Sequence, residues 1–192
     1  MTLSLASPSI AILVANGFDE NHITAVQRSM TKEKMTYKMI APEQGLVNGW
    51  QDSTWGHYFT VDESISTAMG SDYDLLVLVG GERGVAKLKT NLHTRRIINH
   101  FLEAGKPVAA IGSGVDLLTL SPKSAGLSVS GFSGAAEELQ AAQMVVSEED
   151  VCVDGAVLTA KDSQIEGWLS ALMGQVAQAQ LAQKNEDEAV AA

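Results

Sequence analysis

The sequence is poor in cysteine, in basic residues and in long apolar runs. Cys152 is its single cysteine among 192 residues, which excludes an internal disulfide framework and a cysteine-rich zinc site. Lysine and arginine number 13 against 23 acidic residues, and the resulting formal charge of −10 repels phosphate backbones and anionic membrane surfaces. We therefore expect a protein of a reducing compartment that has neither nucleic acid nor membrane among its partners.

The beginning of the chain lacks the features of a targeting segment. Its first 27 residues contain no lysine or arginine, and the apolar run at residues 10–15 is far shorter than the roughly 20 residues of a membrane-spanning helix. We expect no secretory signal, no transit peptide and a cytoplasmic location.

The chain does contain short aliphatic runs that alternate with segments of helical period. The runs predict strands at residues 10–15, 35–40, 75–79 and 108–111, and the amphipathic segments predict helices at 22–34 and 94–104. This alternation is typical of a mostly parallel α/β sheet with helices on both faces. At this length we expect a single domain over residues 1–182.

The second half of the chain predicts shorter and less regular elements. They are a helix at 115–120, a strand at 127–130, a helix at 135–142, strands at 144–146, 151–153 and 156–160 with a hairpin turn at 154–155 between the last two, and a closing helix at 164–182. The remaining residues, 183–192, are polar and acidic and are expected to form a frayed tail.

Three glycine-containing loops follow predicted strands, at residues 16–22, 80–84 and 112–114. The carboxyl ends of parallel strands share one edge of a sheet, so these loops are expected to line one crevice. Helix starts at such loops offer free backbone N–H groups to an anion. Short glycine-rich turns also occur for steric reasons alone, and the spacing by itself assigns no chemistry.

Several spaced segments resemble motifs of the DJ-1/PfpI family, within the class I glutamine amidotransferase-like superfamily. They are the turn NGFDENH at residues 16–22, the tryptophan-bearing stretch at 41–56, YDLLVLVGG at 73–81, EAGKPVAAI at 103–111 and VCVDGAVLTAK at 151–161. The likeness is greatest to the PfpI-type intracellular protease/amidase branch. It implies a flavodoxin-like three-layer sandwich with a nucleophile elbow after the fourth predicted strand.

At the positions where this family carries its catalytic groups, the sequence departs from the pattern. Gly112 stands at the position of the nucleophilic cysteine, Ser113 at that of the neighbouring histidine, and His22 at that of the glutamate in the first turn. Val85 stands where some members supply a glutamate from a neighbouring subunit. Because glycine has no side chain to ionise, we expect no catalytic residue here and interpret the chain as a non-catalytic or altered-ligand member, a pseudoenzyme.

Two other functions stay open. Ser113 activated by His22 would give a hydrolase or a glyoxalase/deglycase-like enzyme, although a serine at a helix start is also a good N-cap. The family's self-association implies a homo-oligomer, most simply a dimer, and the chain would then serve as an interaction module.

The site left without its cysteine is expected to bind a small anion or carboxylate. Its predicted ligand-binding residues are His22, Gly81, Gly112, Ser113 and Gly114. Protonation of His22, with an ordinary pKa of about 6.5, would tighten binding as the pH falls from about 8 to 6. The alternative is a pocket filled by valines that holds only water. We expect no metal and no cofactor, because the histidines lack metal-ligand spacing.

Overall fold

The computed structural model describes residues 8–131 and 136–190. The strands are β1 Ile10–Leu13, β2 Phe18–Asp19, β3 Tyr37–Ala41, β4 Leu46–Gln51, β5 Thr54–Thr60, β6 Glu63–Ser64, β7 Leu75–Leu78, β8 Val108–Ile111, β9 Ser128–Ser130, β10 Val145–Ser147, β11 Val151–Asp154 and β12 Val157–Ala160. The helices are α1 Glu20–Lys32, α2 Glu82–Lys89, α3 Leu92–Glu103, α4 Ala136–Ala141 and α5 Ile165–Val190. A 3-10 helix, Gly112–Leu120, follows β8.

A seven-stranded sheet in the order β11-β12-β8-β7-β1-β3-β6 forms the centre of the fold. Its neighbours pair in parallel except for β11, which runs antiparallel to β12 across the predicted hairpin turn. The four strands β1, β7, β8 and β12 are buried along their whole length, as strands covered on both faces must be. The expected α/β flavodoxin-like architecture is confirmed.

Helices cover both faces of this sheet. On one face α1 and α5 pack with Ile10 and Ile12 of β1, and on the other α2, α3 and α4 pack with Ala11 and Leu13. This division follows from the pleat, because successive side chains of a strand point to opposite faces. Within the described ranges, no helix combines the length and apolar content needed to cross a bilayer.

The tryptophan-bearing stretch forms a separate small sheet of β2, β4 and β5, which the hydrophobic pattern does not predict. β4 and β5 pair as an antiparallel hairpin with a register shift between Asn48 and Trp50. β2 pairs in parallel with β4 and so attaches the hairpin to the loop that follows β1.

Two predicted segments differ from the structure. The helix expected at 115–120 begins earlier and is a 3-10 helix, and α5 continues through the expected tail as far as residue 190. Glutamine, lysine, glutamate and alanine are all good helix formers, so this segment can extend the helix. Residue 135 of the predicted fourth helix and residues 191–192 of the predicted tail lie outside the described residues.

We expect Gly114→Ala to destabilise the fold. A Cβ built on Gly114 would lie 2.5 Å from the carbonyl oxygen of Leu78, so the backbone after β8 packs against the end of β7 with no room for a methyl group. Overpacking of this kind costs about 1–3 kcal/mol of unfolding free energy in chemical denaturation. Gly174→Ala on α5 is the matched control, because a Cβ there meets no atom within 4 Å. An equal effect of both substitutions would contradict this packing.

Candidate functional site

The three glycine-containing loops meet at the carboxyl edge of the sheet, as expected. The backbone N–H of Asp19 donates to the carbonyl of Gly80 at 2.8 Å. The backbone N–H of Gly81 donates to Ser113 Oγ at 2.9 Å, which ties the second loop to the third. The first and third loops are therefore both hydrogen-bonded to the second.

The central feature of the site is the contact between Gly112 and Asp162. Gly112 adopts a φ of +56°, and a Cβ built on it would overlap Asp162 Oδ1 and lie 2.5 Å from Asp162 Cγ. A side chain at this elbow position would begin in the space that the Asp162 carboxylate occupies. The position is not an empty pocket.

Strand register explains how Asp162 reaches the elbow. β12 pairs in parallel with β8 so that Ala160 lies opposite Ile111. The segments that follow β8 and β12 therefore leave the sheet at the same edge, and Asp162 lies beside Gly112. Asp162 is not among the site residues predicted from the sequence, because the predicted crevice includes only three strand ends. The sequence feature that could have indicated Asp162 is the apolar run after the turn at 154–155. That run forms β12, and its carboxyl end lies at the same edge of the sheet.

His22 lies beneath this contact on the first turn of α1. Its side chain is 3% exposed, the N–H of Gly80 donates to its Nδ1 at 3.2 Å, and its Nε2 is 3.5 Å from Asp162 Oδ1. Nδ1 accepts a hydrogen bond from the backbone N–H of Gly80. A proton on Nδ1 would point at that N–H and repel it, because both groups would then be donors. The neutral ring that carries its proton on Nε2 fits both contacts.

The surroundings shift the pKa of both partners. Burial lowers the pKa of His22 below its ordinary value, although the charges of Asp19 and Asp162 act in the opposite direction. Burial raises the pKa of Asp162, and the charges of Asp19 and Glu82 add to this effect while His22 opposes it. The expected tightening of anion binding between pH 8 and 6 depends on an ordinary His22 pKa, and burial acts against it by lowering that pKa.

The structure does not bring together the serine dyad that was the alternative to a non-catalytic site. Ser113 Oγ accepts the hydrogen bond from Gly81, while the ring nitrogens of His22 face Gly80 and Asp162. No hydrogen bond joins Ser113 to His22 among the contacts of the described residues. Val85 lies on α2 and is buried in the core rather than in the site, and Gly114 allows the backbone after β8 to approach β7 closely.

A cleft of about 360 Å³ opens above the elbow. It is lined by Asp19, Trp50, Gly81, Glu82, Arg83, Ser113 and Asp162. The guanidinium carbon of Arg83 lies 4.1 Å from the centre of the Trp50 ring, within cation–π range. The lining thus contains three carboxylates, those of Asp19, Glu82 and Asp162, and one arginine. The N–H of Gly81 already donates to Ser113 Oγ, so it is not free for an anion. The expected anion ligand stays a prediction, and these charges weigh against it.

Glu20 fixes the hairpin that carries Trp50. Its carboxylate is buried and accepts hydrogen bonds from the backbone N–H of His57 at 2.8 Å and from His57 Nδ1 at 2.5 Å. Burial alone would raise the pKa of Glu20, but the hydrogen bonds from His57 outweigh it and hold this pKa below its usual value. A Cβ on Gly49 or Gly56 would collide with the Glu20 carboxylate. Neither glycine is among the site residues predicted from the sequence.

Cys152 lies in β11 and not at the elbow. It is buried, its thiol donates to the carbonyl of Ser128 at 3.4 Å, and burial raises its pKa. Within residues 8–131 and 136–190, no group of three or more histidine, cysteine, aspartate or glutamate side chains is arranged to hold a metal ion.

Comparison with known proteins agrees with this fold. The sequence profile of the DJ-1/PfpI family matches residues 8–175. The chain belongs to the DJ-1/PfpI family. An uncharacterised protein of Archaeoglobus fulgidus is 27% identical over 152 residues, which cover 79% of this chain and 88% of that protein. Catalase HPII of Mycobacterium avium is 30% identical over 115 residues, or 60% of this chain and only 16% of that catalase.

Solved structures show the same fold at low sequence identity. A two-domain protein of Anabaena variabilis, with DJ-1/ThiJ/PfpI-like and ferritin-like domains, aligns with a TM-score of 0.82 at 19% identity, over 88% of this chain and 48% of that one. A ThiJ/PfpI domain protein of Brachyspira murdochii aligns with a TM-score of 0.81 at 20% identity, over 91% and 99% of the two chains. Schizosaccharomyces pombe DJ-1 aligns with a TM-score of 0.76 at 16% identity, over 93% and 97%.

We expect His22 to titrate below pH 6.5 in a histidine NMR titration, and Asp162→Asn to lower its pKa further. The charge of Asp162 favours protonation of His22, whereas burial and the hydrogen bond from Gly80 disfavour it. Removing the charge should therefore lower the His22 pKa further. A His22→Gln variant assigns the resonance. Asp52→Asn, in the turn between β4 and β5, is the control and should leave His22 unchanged. An ordinary His22 pKa, or a rise in Asp162→Asn, would contradict the arrangement.

Proposed function

We propose that this chain is a DJ-1/PfpI protein that binds a small molecule at the elbow cleft without covalent catalysis. One observation carries the proposal: the place where an elbow side chain would begin is filled by the carboxylate of Asp162. A thiolate mechanism needs an ionisable sulfur at that place and positive charge or hydrogen-bond donors around it. Here the neighbours are a carboxylate and a histidine that burial keeps neutral.

The cleft itself retains the features of a binding site. Trp50 offers an aromatic surface, Ser113 a hydroxyl group, and Arg83 a planar cation lying over the Trp50 ring. Its three carboxylates favour a neutral or cationic polar molecule over an anion. The resemblance-based alternative, a hydrolase or glyoxalase/deglycase-like enzyme using Ser113 with His22, lacks the serine–histidine hydrogen bond that it needs.

Turnover assays test the proposal directly. With methylglyoxal and with a chromogenic peptide amide, we expect the purified protein to give no rate above that of buffer, and Ser113→Ala to give the same result. The matched positive control is an active cysteine-bearing member of the family measured at the same concentration. Turnover by the wild-type protein that Ser113→Ala abolishes would overturn the non-catalytic proposal in favour of the serine enzyme.

A second measurement asks whether the elbow tolerates a reactive thiol. In a Cys152→Ser background, we expect Gly112→Cys to react slowly with iodoacetamide at pH 7, because the Asp162 carboxylate raises the pKa of the new thiol. Adding Asp162→Asn should lower the pKa of the new thiol. Alkylation should then be faster by about tenfold for each unit by which that pKa falls. Asp52→Asn is the control and should have no effect. Fast alkylation of the Gly112→Cys variant with Asp162 intact would contradict the electrostatic argument.

A further inference from the structure

The hairpin of β4 and β5 carries an exposed histidine that is held by a buried carboxylate. His57 lies on β5, and its side chain is 86% exposed, whereas the side chain of Glu20 is 6% exposed. Glu20 Oε2 accepts the backbone N–H of His57 at 2.8 Å, and Glu20 Oε1 lies 2.5 Å from His57 Nδ1. The two oxygens of one carboxylate thus fix both the backbone and the ring of His57.

This contact determines which ring nitrogen of His57 carries the proton. Burial raises the pKa of Glu20, but the hydrogen bonds from His57 outweigh it and hold the pKa below its ordinary value, so Glu20 is ionised at neutral pH. An ionised carboxylate has only acceptor oxygens, so Nδ1 carries a hydrogen and donates it. The neutral ring then has its lone pair on Nε2, which makes no hydrogen bond within the described residues.

The other three histidines lack this combination of features. His22 is buried, and both of its ring nitrogens face groups of the protein. His93 and His100 are half-buried, and neither forms an ion pair with a carboxylate in the described ranges. A carboxylate on Nδ1 orients an imidazole and stabilises the positive charge that the ring gains when Nε2 attacks an electrophile. Among these four histidines, His57 is therefore the one arranged as a nucleophile.

The surroundings of His57 favour one class of electrophile. Acyl transfer requires donors placed around a developing oxyanion, and a side chain that is 86% exposed lacks such an enclosure. Phosphoryl transfer passes through a loose transition state, so it requires little of the acceptor beyond its position in line with the leaving group. β4 and β5 contain no acidic residue, so an anionic donor meets little repulsion from these strands.

We propose that His57 is a phosphoryl-acceptor site that is modified at Nε2 by donors of the phosphoramidate class. The Nε2 lone pair forms the new N–P bond, while the P–N bond of the amino-protonated donor breaks and its electron pair leaves with the amine. With phosphoramidate itself the leaving group is ammonia. The ring keeps its Nδ1 proton and becomes an imidazolium, whose charge the Glu20 carboxylate stabilises at the other nitrogen.

Reactivity and tautomer, measured together, test the proposal. With potassium phosphoramidate at pH 8, we expect peptide mass spectrometry to locate a phosphoryl group on His57, formed about tenfold or more faster than on His93 or His100. Long-range proton–nitrogen NMR spectra of the unmodified protein should show the proton of the neutral His57 ring on Nδ1. His57→Gln assigns these resonances and should lack the modified peptide.

Glu20→Gln changes the tautomer without removing the exposed ring. The glutamine oxygen can accept the backbone N–H of His57 while its NH₂ donates to Nδ1, which moves the ring proton to Nε2. We expect phosphorylation of His57 to slow by about tenfold, because the lone pair of Nε2 is lost and the charge on the ring is no longer stabilised. Glu20 is thus a positioning residue.

Glu63→Gln is the matched control, because it makes the same change in another partly buried carboxylate, whose partner is the Tyr73 hydroxyl. It should leave the tautomer and the rate at His57 unchanged. Circular dichroism melts show that each variant is folded, and the wild-type measurements test the proposal even if Glu20→Gln fails to fold. Three results would overturn it: phosphorylation of His57 no faster than that of His93, a wild-type ring with its proton on Nε2, or a folded Glu20→Gln variant that keeps the wild-type rate.

Discussion

The contact between the Asp162 carboxylate and the glycine at position 112 determines the chemistry of the elbow. It occupies the space of an elbow side chain, and it places a negative charge 3.5 Å from the buried ring of His22. It also explains why residue 112 is a glycine, because only glycine combines the positive φ with the close approach of the Asp162 carboxylate. The elbow thus contains a carboxylate contributed by the loop that follows β12.

The rest of the molecule keeps this arrangement in place without taking part in it. Parallel pairing of β8 with β12 sets the position of Asp162, and the hydrogen bond from Gly80 sets the orientation of His22. The Glu20–His57 contact anchors the hairpin, which presents Trp50 to the cleft. The chain thus keeps the fold of the DJ-1/PfpI family, and the Asp162 carboxylate lies at the carboxyl edge of its central sheet.

The sequence predicted the fold because the central strands are uninterrupted aliphatic runs and their helices are amphipathic. It did not predict the hairpin, since LVNGWQ and TWGHYFT are interrupted by glycines and polar residues that obscure strand alternation. The three loops of the crevice followed from topology. Asp162 did not, because its place depends on strand register, and the pKa of His22 did not, because it depends on tertiary burial and on one backbone donor.

A double-mutant cycle in unfolding free energy tests the central contact most directly. Gly112→Ala is measured in the wild type and in an Asp162→Ala background, which removes the overlapping carboxylate but keeps the Cβ of residue 162. The account predicts that Gly112→Ala costs less in the second background, with a coupling of about 1 kcal/mol within the 0.5–3 kcal/mol typical of residues in contact. The strain of the positive φ is common to both and cancels. Effects that add to within about 0.5 kcal/mol would contradict the claim that the Asp162 carboxylate occupies the elbow.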